Sequence, residues 1–225
     1  MSTFFLILGI LFLPLCISQR LRGCTLKSVF LKCTVSLLFI AVAVFARSSS
    51  ALAPFLILGL VFALLGDIWL DLKDVYPEND TAFTNAGFLV FGISHILYVA
   101  GLLVQYGAGP YLIASFLLAA AAAAFVGCYL AKPLNLHYGD MKRVILVYGF
   151  LMFSTLFVSG AQLIATGGGP AIVLFFIGSV LFAISDLILN RTYFGVGKDR
   201  GVDIIGNYVF YYAAQFLIAF SLVFL

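Results

Sequence analysis

Leu52–Leu72 reads LAPFLILGLVFALLGDIWLDL, an apolar run long enough to cross a bilayer that meets a carboxylate only at Asp67 and again at Asp71. Crossing the hydrocarbon layer takes about 20 predominantly apolar residues. Inside it the backbone must satisfy its own hydrogen bonds, so a run of this kind predicts a membrane helix. A carboxylate within such a helix costs several kcal/mol unless it is protonated, paired or hydrated, and it therefore marks a functional site. A second stretch repeats the arrangement: Val180-Leu-Phe-Ala-Ile-Ser185-Asp186-Leu-Ile-Leu189 places Asp186 in an equally apolar setting.

Working outward, the whole chain shares this character. Its 225 residues are 64% hydrophobic and 9% charged, with a mean hydropathy of +1.19. Soluble domains carry about 25% charged residues, so the composition predicts an integral, multi-pass membrane protein. The formal net charge of +3 comes with no basic tract and no nucleic-acid motif, and nucleic acid is not expected as a partner. Cys16, Cys24, Cys33 and Cys128 form no C-x-x-C pair and no zinc spacing; they read as small apolar residues. The first apolar segment lacks a basic leader and an A-x-A-like cleavage site, so it is expected to be a retained helix.

Eight spans are predicted, at 2–19, 27–46, 52–72, 84–105, 110–130, 144–165, 170–191 and 203–224. The fold class is an all-α bundle of eight transmembrane helices forming one domain over residues 1–225. Pro54, Pro110 and Pro170 stand at span starts, where a missing N–H costs nothing, and Pro14 is expected to kink the first span. Connections one, three, five and seven hold ten of the twelve basic residues, connections two, four and six only Arg47, and Lys32 lies inside a span. Basic residues stay on the cytoplasmic side, which predicts both termini outside. That topology suits an inner membrane in a bacterium or an endomembrane in a eukaryote.

With a rise of 1.5 Å per residue, Asp67 lies about 6 Å and Asp186 about 7–8 Å from the inner ends of their spans. Lys32 and Tyr148 fall at a matching depth in spans two and six, so four helices place polar groups at one level. Deeper lie His95 and Tyr98, which share a helix face, and Gln215, which continues a stripe with Tyr208, Tyr211 and Tyr212. Asn190 stands one turn from Asp186. These residues predict a cavity open towards the cytoplasmic interface and tapering to the midplane. Gly59-x-Val61-x5-Asp67 and Gly178-x-Val180-x5-Asp186 share a spacing, which suggests a parallel repeat of two four-helix halves.

Taken in order, Phe30-Leu31-Lys32-Cys33, Gly59 to Asp67, Ser94-His95-Ile96-Leu97-Tyr98, Phe182-Ala183-Ile184-Ser185-Asp186 and Tyr211-Tyr212-Ala213-Ala214-Gln215 resemble the lysoplasmalogenase family of YhhN-like membrane proteins. The resemblance runs from span two to span eight; Asn190 and Arg191 depart from it, standing where a more apolar continuation is expected. It implies a hydrolase that cleaves the vinyl ether bond of lysoplasmalogens to a fatty aldehyde and a glycerophospho-ethanolamine or -choline. It implies also that Lys32, Asp67, His95, Tyr98, Ser185, Asp186, Tyr211, Tyr212 and Gln215 are the matching motif positions.

Enol ethers hydrolyse by protonation at the β-carbon, and water then captures the oxocarbenium ion. Two carboxyl groups in unlike surroundings suit that chemistry, as they do glycoside hydrolysis. Asp67 and Asp186 are the expected acid and base or stabiliser, in either order, with no cofactor and no metal. His95 is expected to tune either carboxyl group. Tyr98, Tyr148, Tyr211, Tyr212 and Gln215 are expected to position water and the ether oxygen. Lys32, with Arg191 or Lys198, is the candidate for the lipid phosphate. A proton-coupled lipid or small-molecule transporter is the alternative, since intramembrane charge suits it too. An intramembrane aspartyl protease is disfavoured because Leu64-Leu65-Gly66-Asp67 lacks the Gly-x-Gly-Asp motif.

Overall fold

The computed structural model describes residues 1–196 and 200–225, so Lys198 lies outside the described residues. Eight helices follow one another: α1 Ser2–Leu21, α2 Leu26–Phe45, α3 Leu52–Val75, α4 Asp80–Tyr106, α5 Leu112–Ala124, α6 Lys142–Thr166, α7 Pro170–Phe194 and α8 Gly201–Ser221. All eight, taken with their short flanking turns, are long and apolar enough to cross a membrane. No strand occurs among the described residues. The fold class is thus the all-α membrane bundle that the apolar runs predict.

Local chemistry sets the helix ends. Thr25 caps α2 through a reciprocal pair: its Oγ1 accepts from the Ser28 N–H while Ser28 Oγ accepts from the Thr25 N–H. Pro170 is the first residue of α7. Gly167 ends α6 at φ 70°, a left-handed conformation that glycine adopts without a steric cost. Pro14 does not break α1, which runs continuously through it. The fifth span departs from regular geometry, since α5 gives way to a π turn over Phe125–Tyr129.

The connections rich in basic residues converge at one end of the bundle. Arg20 pairs with Asp74, Lys73 sits 4.1 Å above the ring of Tyr193, and the His137 N–H donates to the Phe194 carbonyl at 2.7 Å. Eight crossings leave both chain ends together at the opposite end.

Apolar helices gain little by leaving lipid for one another, so their association depends on close packing at small residues. The α3–α4 seam shows this. A methyl group added at Gly59 would lie 2.4 Å from the Tyr98 ring, and one at Gly66 would lie 2.4 Å from the Phe91 ring. Corresponding contacts recur in the second half, where Gly178 of α7 meets Ile218 and the Ala214 carbonyl just as Gly59 meets Tyr98 and the Ser94 carbonyl. The α1 helix is peripheral and buries only Ser2, Gly9 and Cys16. Gly59→Ala is expected to destabilise the bundle by about 1–3 kcal/mol through overpacking, read as a lower melting temperature in detergent. Gly149→Ala, whose added carbon finds Ala123 at an ordinary 3.5 Å, is expected to melt with the unchanged protein.

Candidate functional site

α2, α3 and α8 meet around Asp67, which is 3% exposed. Its Oδ2 accepts hydrogen bonds from Ser36 at 2.7 Å and from Tyr211 at 2.8 Å, while Oδ1 lies 3.4 Å from the Lys32 ammonium. Lys32 donates also to Asp71 at 2.8 Å and packs 5.3 Å above the ring of Tyr208. A buried carboxylate is tolerated when it is paired and its lone pairs are engaged, and Asp67 meets both conditions.

Behind Asp67 a relay of polar groups runs deeper into the bundle. Tyr98 donates to Gln215 at 3.1 Å, Gln215 donates to the Tyr211 hydroxyl at 3.2 Å, and Tyr211 donates to Asp67. Tyr212 closes the side wall, donating to the Lys32 carbonyl at 3.2 Å with Ser36 Oγ 3.4 Å away. Three helices therefore hold one carboxylate in a fixed orientation.

Asp186 of α7 has different company. Its Oδ2 accepts from the Tyr148 hydroxyl of α6 in a short hydrogen bond, and no cation stands within ion-pair distance among the described residues. It is half-buried where Asp67 is fully enclosed. Asp67, Asp186, Lys32, Tyr148, Ser185 and Tyr211 line one small void of about 20 Å³ between α2, α3, α4, α6, α7 and α8. A water molecule needs at least about 10–15 Å³ measured in this way, so the void admits one water and no lipid chain.

A second opening reaches Asp186 from the side. A narrow apolar crevice of about 40 Å³ between α5, α6 and α7 ends on Asp186 and Tyr148, with Ala123, Gly127, Gly149 and Met152 in its walls. The open, tapering funnel expected from the sequence is replaced by this closed core and side crevice. The physical reason is that the tyrosine stripe of α8 fills the space as a packed layer: Tyr211 and Tyr212 are 6% and 0% exposed.

Other predicted residues take quieter places. His95 is 2% exposed, with Nδ1 3.1 Å from Thr155 Oγ1 and its ring edge-on to Phe182 at 4.7 Å. It makes no hydrogen bond to either aspartate, and its Nε2 finds no partner among the described residues. Ser185 joins α7 to α8, exchanging hydrogen bonds with Asn207. Asn190 donates to the Tyr138 hydroxyl at 2.9 Å. Lys32 is turned inward between two carboxylates, which leaves its ammonium engaged within the protein.

Sequence reasoning missed Ser36 and Asp71. Both carried a signal, since Ser36 lies one turn beyond Lys32 and Asp71 one turn beyond Asp67, on the same helix faces. Asp71 reads in the sequence as the aqueous end of its span, yet it is 3% exposed because Lys32 draws it in. Among the described residues no group of three His, Cys, Asp or Glu side chains is placed to hold a metal ion.

The fold and site define a polytopic membrane protein with two carboxyl groups converging on a nearly dry core. The YhhN family profile matches residues 27–222, and the chain belongs to the YhhN family. No curated protein and no solved structure matches the chain.

Removing the Lys32 ammonium strands two buried carboxylates, so Lys32→Met is expected to cost about 3–5 kcal/mol of stability. Asp71→Asn leaves Lys32 paired with Asp67 and is expected to cost clearly less. Thermal unfolding of both variants in the same detergent checks the order.

Proposed function

We propose that this YhhN-family chain is a membrane hydrolase that cleaves the vinyl ether bond of lysoplasmalogens, with Asp186 as the acid and Asp67 as the fixed anion. The observation that carries the reading is the unlike company of two carboxyl groups facing one water-sized void. Asp67 has an ammonium, a hydroxyl and a phenol as partners, each of which stabilises its anion. Asp186 has a phenol only, so it can carry a proton without breaking an ion pair. Paired carboxyl groups with divided roles are the usual solution where an oxocarbenium ion forms.

In the first step the Asp186 proton moves to the β-carbon of the enol ether. The C=C electron pair forms the new C–H bond, and the adjacent carbon becomes an oxocarbenium ion beside the Asp67 charge. The single water of the void adds to that carbon and gives its proton to the Asp186 carboxylate, which restores the acid. The resulting hemiacetal transfers its hydroxyl proton to the ether oxygen as the C–O bond breaks. A fatty aldehyde and a glycerophospho-alcohol leave, and one water has been consumed. Tyr148 orients Asp186, and the Tyr98–Gln215–Tyr211 relay holds Asp67 against rotation. The distribution of basic residues supports a position for this chemistry towards the cytoplasmic leaflet.

Purified protein is expected to release aldehyde from a lysoplasmalogen and none from the ester-linked lysophospholipid, followed by mass spectrometry. Asp186→Asn and Asp67→Asn are each expected to lower the rate by at least about 100-fold while the protein keeps its elution volume in detergent. Rate-limiting protonation of carbon predicts slower turnover in D₂O. Activity surviving in both Asn variants removes the assignment. Intact substrate crossing liposomes without aldehyde formation would establish the transporter alternative instead.

A further inference from the structure

The connection between α5 and α6 builds a second cavity, of about 390 Å³, at the end of the bundle where the basic connections gather. Lys132, Asn135, His137 and Lys142 line it, with Gly127 and Tyr138 at its inner wall. The wall is a fixed structure. His137 N–H donates to the Phe194 carbonyl at 2.7 Å, Leu136 and Tyr138 are buried, and the Tyr138 ring stands edge-on to Phe194 at 5.1 Å. The start of α6 lies in the same wall at Lys142, whose N–H donates to the Gly139 carbonyl of the preceding turn.

Charge separates this cavity from the two other basic places described in the bundle. The cavity of about 520 Å³ near α1 and α3 holds Arg20 and Lys73, but Asp74 and Asp80 line it too and pair with them. Lys32 is enclosed by Asp67 and Asp71. Lys132 and Lys142 are exposed and have no carboxylate partner among the described residues, and no acidic side chain lines their cavity. Asp140, on the turn before α6, stands outside the lining.

Position completes the argument. Gly127 is shared between the basic cavity and the apolar crevice that ends on Asp186. Asn190, one turn from Asp186, lines the crevice and bonds to Tyr138 in the wall of the basic cavity. One helical turn sets Asp186 about 6 Å deeper than that junction. In a single-chain glycerophospholipid with an enol ether, seven bonds separate phosphorus from the β-carbon, at most about 9 Å when extended at the spacing of a polypeptide backbone. The reach of the lipid exceeds the depth of Asp186 below the junction.

We propose that the α5–α6 cavity binds the phosphate group of a single-chain lipid between Lys132 and Lys142, with the chain-bearing end entering the crevice towards Asp186. The anion site stands on its own geometry; what happens at Asp186 rests on the vinyl ether reading above. A charge-assisted contact of this kind acts on binding and not on the chemical step.

The test compares the double variant Lys132→Gln/Lys142→Gln with the unchanged protein and with Lys73→Gln. On a lysoplasmalogen the double variant is expected to raise KM about tenfold or more with kcat kept. On a 1-alkenylglycerol that lacks the phosphate it is expected to leave both constants as they were. Lys73→Gln is expected to change neither substrate's constants. Equal losses on both substrates, or no loss on either, overturn the proposal. Binding of a non-hydrolysable 1-alkyl lysophospholipid, titrated in detergent by intrinsic fluorescence, gives an answer that needs no turnover. Weaker binding in the double variant supports the site even if no vinyl ether is cleaved, and unchanged binding removes it. Inorganic phosphate that binds at Lys132 and Lys142 while lipid binding ignores both lysines would make the cavity a site for free phosphate and overturn the lipid assignment.

Discussion

A single ammonium group, Lys32, makes the centre of this protein possible. It stands between Asp71 and Asp67 in a layer where water is scarce, and it joins α2 to α3. An uncompensated charge at this depth costs about 3 kcal/mol or more, so neither carboxylate is sustainable alone. With Lys32 in place, Asp67 collects two hydroxyl donors and is held in one orientation at the meeting point of three helices. The packing of α8 follows from that, because Tyr211 and Tyr212 both reach the α2–α3 pair.

The α3–α4 and α7–α8 seams are packed alike, and different polar groups surround the aspartate of each. Glycines at matching positions let α3 approach α4 and α7 approach α8, which sets both aspartates facing inward from equivalent places. In the first half the neighbours are Lys32 and Asp71; at the corresponding places in the second half they are Tyr148 and Asn190. One carboxyl group is therefore held by charge and the other by a neutral hydrogen bond.

Much of this was legible in the sequence because hydrophobicity and helix periodicity are local properties. Asp67 and Asp186 announce themselves by their apolar surroundings, and the spans were readable because nothing but a helix hides its backbone in lipid. Partners across helices were less legible. The i, i+4 spacing put Ser36 beside Lys32, but only the angle between α2 and α3 decides that Ser36 reaches Asp67. Asp71 reads as an interfacial residue until its partner on another helix is known. The closed core was also hidden, since the same tyrosine stripe can line a cavity or fill it, and the distance between α8 and its neighbours chooses. His95 shows the limit from the other side: its depth was readable, whereas its bond to Thr155 depends on how α4 meets α6.

The fifth span brings a different consequence. Counting its π turn it covers 18 residues, against 25 in α7 and 30 in the fourth span with its leading turn. Eighteen residues rise about 27 Å, slightly less than the hydrocarbon thickness of about 30 Å. A short span draws the surrounding lipid thinner, at a modest free-energy cost for each ångström of mismatch. A bilayer of ordinary thickness is therefore expected to thin beside the crevice and the basic cavity, so that host-membrane thickness acts first on this flank of the molecule.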